Sequence, residues 1–309
     1  MNLYQLLTAA DFAVMAGYVF IVLGLGGWVS LRRRGEGNLF LAQRSLTWPS
    51  IGLNMWGTNV GPSLLIANAS IGYTTGIVAG NFSWMAFPFI MLLAFVFAPH
   101  FLRTRTSTLP EYLGRRFNPT TRRLLAWYSL VTIVFSWLGI TLYAGGLLVS
   151  QIMHWPLWVS ITLLTLVSAF FTVAGGLRTI AYTNVFQMGL LIVASAILLG
   201  VGLSRAGGWG AVVDTVPPDY WRLFLPSNDP EFPWYALVLG YPVLGIWFWC
   251  TDQSMVQSVL GARDLRQGQL GTGFAAWLKI LDVPLFILPG VVCFVLFPAL
   301  NDPNEAYLT

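Results

Sequence analysis

Apolar residues run in long unbroken stretches along this chain, separated by short polar gaps. Eight stretches reach bilayer-spanning length, at about 10–31, 49–73, 77–102, 124–151, 155–175, 183–204, 235–258 and 270–298. A helix needs about 20 apolar residues to cross the hydrocarbon core, and only helices and closed barrels satisfy their backbone there. Barrel strands alternate apolar and polar positions; these stretches do not. The pattern predicts an all-α integral membrane protein forming one transmembrane domain over residues 1–309.

The polar gaps carry a sidedness. With the gaps numbered alternately from an outside N-terminus, the inside ones hold Arg32, Arg33, Arg34, Arg44, Arg103, Arg105, Arg115, Arg116, Arg122, Arg123, Arg178, Arg263 and Arg266. The outside gaps hold only Arg205 and Arg222, and Lys279 falls inside a span. Cytoplasmic loops carry such an excess of basic residues, so the N-terminus is expected outside and the protein in the cell membrane. The first span ends at Leu31-Arg32-Arg33-Arg34, a cytosolic stop rather than a cleavable leader.

Composition agrees with this reading. Hydrophobic residues make up 56% and charged residues 9%, where a soluble domain carries about a quarter charged. The basic pI of 9.2 reflects loop arginines, not a basic patch interleaved with aromatics, and argues against nucleic acid. Cys250 and Cys293 both lie in spans and offer no disulfide framework or zinc spacing. No nucleophile–histidine pair or HExxH pattern points to an enzyme.

Two spans carry helix breakers. Thr58-Asn59-Val60-Gly61-Pro62-Ser63 interrupts the second, and Gly240-Tyr241-Pro242 with Gly245 marks the seventh. They stand five apart in order, as the first helices of two inverted five-helix repeats would, each broken where it lines a site. Ordinary kinks are the alternative, since Pro88, Pro284 and Pro289 also lie in spans. Intramembrane charges are costly and mark function or pairing. Asp252, Lys279 and Asp282 are the three here. Lys279 and Asp282 stand three apart, which suits a same-helix ion pair; a lysine lining a polar cavity is the other reading.

Trp247-Phe248-Trp249-Cys250-Thr251-Asp252-Gln253 resembles the sodium/solute symporter family, in its sodium–glucose branch. Further matching stretches are Phe40–Leu46, Thr108–Leu113 with Arg116-Phe117-Asn118, Gly175–Thr179 with Tyr182-Thr183 and Gln187, and Leu278-Lys279 with Pro289-Gly290. The resemblance covers residue 10 onwards. It implies a ten-helix inverted-repeat core preceded by one extra helix (10–31), with the first repeat at 49–204 and the second starting at 235–298. On that reading the chain is an N-terminal fragment, ending after core helix seven. The implied function is sodium-coupled symport of a small organic solute, a sugar or polyol, by alternating access. A symporter-like sensor with weak or no coupled transport is the alternative.

Carried over residue by residue, the resemblance gives Gly57 and Val60 as backbone-carbonyl ligands of sodium. It gives Asn59, Leu64, Ser83, Gly245, Phe248, Trp249 and Lys279 as solute contacts. Ser83 stands where the sugar transporters have glutamate, Leu64 where a polar side chain is usual, Gly245 where Asn or Thr is usual, and Phe248 where a tyrosine stacks on the sugar. Asn184, on the ion pathway, replaces an aspartate. The partners implied are the solute and the lipid bilayer, with no obligate protein partner. The identity of the solute, the sodium stoichiometry and the oligomeric state are not legible at this level.

Overall fold

A computed structural model describes residues 8–31, 39–300 and 302–307. Arg32, Arg33 and Arg34 of the charge partition, and Leu308 and Thr309 at the end of the chain, lie outside them. The described residues are helical almost throughout, without strands beyond two isolated bridges. Five helices among them are long and apolar enough to cross a membrane: Ala9–Val29, Pro62–Thr104, Pro119–Met153, Gly176–Arg205 and Leu265–Leu296. Leu157–Phe170 and Ala236–Thr251 are shorter apolar helices.

The expected break in the second span is present. Trp48–Asn59 stops at Val60, whose backbone is extended (φ −90°, ψ 110°), and Pro62–Thr75 starts beyond Gly61. Proline is at home in a first helical turn, where its missing N–H has no partner to lose. The break expected in the seventh span is displaced. Residues 236–251 run on through Pro242 as alternating α and π turns, and the chain leaves the helix only at Asp252 (φ −77°, ψ 134°). A widened turn accommodates the proline that a regular turn would not. The Asp252 carboxylate then starts Gln253–Leu260 by accepting from the Ser254 N–H at 2.9 Å.

Two other boundaries differ from expectation. The fourth span begins at Pro119, five residues earlier than its hydropathy suggests, because Asn118 caps it by accepting from the Thr121 N–H at 2.8 Å. The fifth and sixth spans meet without a loop, Leu157–Arg205 turning only at Gly176 (φ 58°, ψ −166°), a conformation that favours glycine. The gap before Pro119 also holds a helix, Leu109–Arg116, which opens with a cap at Thr108. There Glu111 accepts from the Ser107 N–H at 2.8 Å, and this bond above all holds its carboxyl below the ordinary carboxylate range.

Both halves of the broken second span pack on the eighth. Helices in lipid associate through close backbone approach over small residues. A Cβ at Gly52 would meet the Phe274 ring at 2.5 Å, and one at Gly271 would meet Ile51 at 2.6 Å. Beyond the break, a Cβ at Gly72 would lie 2.2 Å from the Ile287 carbonyl oxygen. One at Gly290 would lie 2.0 Å from the Ala69 oxygen. The break is thus clamped from two sides against the middle of Leu265–Leu296, where Lys279 and Asp282 lie. A bridge between Leu46 and Ala262 also ties the chain entering the first broken helix to the chain leaving the second.

Candidate solute and ion site

Helix termination at Val60 leaves a row of carbonyls without partners. Thr58 would bond to the N–H of residue 62, which is proline and has none. Among the described residues no donor reaches the carbonyls of Gly57, Thr58, Asn59 or Val60, while the Trp56 oxygen takes the Val60 N–H at 3.1 Å. Unpaired backbone oxygens in a membrane interior suit a hard cation.

These residues form one wall of a cavity of about 980 Å³. Trp137 and Thr141 face them from the 119–153 helix, Asn184 and Gln187 from Gly176–Arg205, and Phe248 and Asp252 from the second broken helix. Tyr18 of the first helix reaches the same space, its hydroxyl accepting from Gln187 Nε2 at 2.8 Å. Asp252 is the one ionisable carboxylate among the lining residues.

Behind Asn59 lies a buried polar cluster. Lys279 Nζ donates to Asn59 Oδ1 at 2.8 Å, forms an ion pair with Asp282 Oδ2, and sits 5.5 Å from the centre of the Trp249 ring. Asp282 is wholly buried and takes two further donors, Trp56 Nε1 and Ser83 Oγ, each at 2.7 Å. Lys279 therefore takes the ion-pair reading: it pairs with Asp282 and does not itself line the cavity, which it reaches only through Asn59. Trp249 stacks edge-on against Phe248 at 4.9 Å, and Phe248 faces Trp137 at 5.7 Å, so an aromatic run extends the cluster into the cavity wall.

Of the solute contacts expected from the sequence, Asn59 and Phe248 line the cavity, while Ser83, Trp249 and Lys279 meet behind it. The remaining two lie apart. Gly245 is buried against the Phe89 ring, which a Cβ there would strike at 2.5 Å. Leu64 packs into the apolar cluster around Trp56, Val60 and Met188. Gly57, Val60 and Asn184 all line the cavity. Asn184 Nδ2 donates to Asn54 Oδ1 and Asn54 Nδ2 donates to Ser258 Oγ, both at 2.7 Å, which links three helices below the break. Sequence reasoning missed Trp56, Asn54, Ser258 and Trp137 as site neighbours. An intramembrane asparagine such as Asn54 was the available signal; a tryptophan gives none, since it suits lipid and core alike.

Residues 39–300 match the model of the sodium:solute symporter family. Similar proteins include sodium/glucose cotransporter 4 of Danio rerio, 32% identical over 97% of this chain and 49% of the relative. Another is sodium/myo-inositol cotransporter 2 of Mus musculus, 31% identical over 94% and 46% respectively. A solved Na+-coupled sialic acid symporter in a substrate-bound outward-open state superposes with a TM-score of 0.82 at 21% identity, over 96% of this chain and 64% of that one. The chain spans about half the length of the relatives it matches. Its match over 39–300, with a broken second span facing a polar cavity, makes this multi-pass membrane chain a member of the sodium:solute symporter family.

Proposed function

We propose that the protein is a secondary active transporter that couples inward sodium flow to uptake of a small neutral solute, a sugar or polyol, across the cell membrane. The observation that carries the reading is the row of partnerless carbonyls from Gly57 to Val60, on the wall of a cavity that also presents Asn59. Gly57 and Val60 serve the sodium ion, and Asn59, Phe248 and Trp249, with Lys279 and Ser83 behind them, serve the solute. Gly245 sets the spacing of the second broken helix against Phe89, and Leu64 packs the wall of the first. The names of the glucose and inositol cotransporters among the relatives support the sugar or polyol class.

Asn184 gives the test. Its partner Asn54 has both a donor and an acceptor, so an aspartate there keeps its bond if the Asn54 amide turns over and Ser258 donates in return. The added charge changes cation affinity by about 1–3 kcal/mol, roughly 5- to 150-fold. Asn184→Asp is expected to lower the external sodium needed for half-maximal solute uptake by the full-length protein in vesicles, with solute preference unchanged. Absence of sodium dependence in both proteins would overturn symport in favour of a solute sensor. Sodium dependence in the variant alone would locate lost coupling at this position.

The N-terminus is placed outside on the arginine partition. An impermeant thiol reagent applied to intact cells should label Ser227→Cys and spare Ser45→Cys. The reverse pattern would invert the whole topology.

A further inference from the structure

An ammonium carries only hydrogen-bond donors, so any polar group that faces it must accept. Lys279 Nζ lies 2.8 Å from the Asn59 side chain, which therefore points its carbonyl oxygen at the lysine. The oxygen and nitrogen of an amide occupy opposite corners of one plane. With its oxygen turned to Lys279, Asn59 has its NH2 directed away, and Asn59 borders the cavity. Free to choose, an asparagine would offer a solute either end.

The lysine is not free to leave. Asp282 pairs with it on the same helix, and the carboxylate is itself held by Trp56 Nε1 and Ser83 Oγ at 2.7 Å from two other elements. Every group in this chain is buried, with Lys279 at 3% exposure and Asp282 at 0%. An ion pair so enclosed has no water to exchange with and keeps its geometry.

We propose that Asp282 is a positioning residue that acts through Lys279 to fix the polarity of Asn59, so that the Asn59 side chain presents its hydrogen-bond donor to the cavity and not its acceptor. The inference rests on the solute-site reading above and deepens it. The solute group opposite Asn59 is an accepting oxygen, such as a hydroxyl lone pair or a ring ether. Because Asp282 already neutralises Lys279, the same wall offers no unpaired cation to a carboxylate solute.

Probes that only accept or only donate separate this from a merely structural role. The full-length protein is assayed by competition against uptake of D-glucose and myo-inositol. The competitors are their mono-deoxyfluoro analogues, which accept only, and mono-amino-deoxy analogues at about pH 6, where the protonated amine donates only. At one ring position the wild type is expected to favour the fluoro over the amino analogue by about tenfold or more, a hydrogen bond's worth of discrimination. In Lys279→Met with Asp282→Asn, which leaves no ammonium facing Asn59 and no unpaired carboxylate behind it, the amide is released. The preference at that position should then fall to about threefold or less, with the other ring positions unmoved. Undiminished discrimination in the double variant overturns the inference, as does a wild type that binds both analogues alike at every position. A wild type that takes up neither parent compound overturns the solute reading instead, and the inference with it.

Discussion

Asp282→Ala is expected to destabilise the full-length protein by about 3–5 kcal/mol, the usual cost of leaving one half of a buried ion pair without its partner. Lys279 has no route to water, being 3% exposed and enclosed by Asn59, Trp249 and its own helix. The alanine also strands the Trp56 and Ser83 donors that the carboxylate now satisfies. Lys279→Met combined with Asp282→Asn removes both charges and keeps one acceptor oxygen. It should recover most of the loss. Thermal unfolding of detergent-purified protein checks both variants; equal unfolding midpoints for the single and double variants would show that the pair contributes nothing beyond packing.

The second large effect is steric. Gly290→Ala places a methyl 2.0 Å from the Ala69 carbonyl oxygen, and backbone cannot step aside as a side-chain tip does. Overpacking costs about 1–3 kcal/mol, and this clash with rigid backbone belongs at the upper end. Here it also pries Pro62–Thr75 away from the eighth span and so opens the break. Gly189→Ala is the control, because nothing lies within 4 Å of the added carbon. Its helix should be unchanged or slightly firmer. Monodisperse yield on size exclusion separates the two, and equal yields would mean that the crossing is looser than described.

How legible each part was follows from the range of the interaction that sets it. The first break is local: Pro62 lacks an N–H and Gly61 precedes it, so the interruption could be read directly. The second lies away from its proline, so the sequence pattern points to the wrong place. Pro242 rides in a widened turn, and the chain leaves the helix where a carboxylate and a serine two residues on make a cap. The Lys279–Asp282 spacing was visible on one helix, but Trp56 and Ser83 reach Asp282 from positions 226 and 199 residues away. No local pattern encodes that. Gly245 and Leu64 show the opposite limit. A motif can place a residue on the correct helix without saying which face it presents, and packing against Phe89 and the Trp56 cluster decides.

The three-residue spacing between Lys279 and Asp282 also bears on how the chain enters the bilayer. A lone lysine or aspartate at the centre of an inserting helix costs about 2.5–3.5 kcal/mol, enough to hold a marginal segment back in the translocation channel. Side chains at i and i+3 meet as soon as the helix forms, before Trp56 or Ser83 has been brought alongside. The eighth segment can therefore partition into lipid as a neutral unit and exchange solvent for protein partners afterwards. Moving the aspartate one residue closer to Lys279, to position 281, would keep the composition and lose this protection, because side chains two apart do not face each other, so the defect would appear during biogenesis, ahead of any fault in the finished fold.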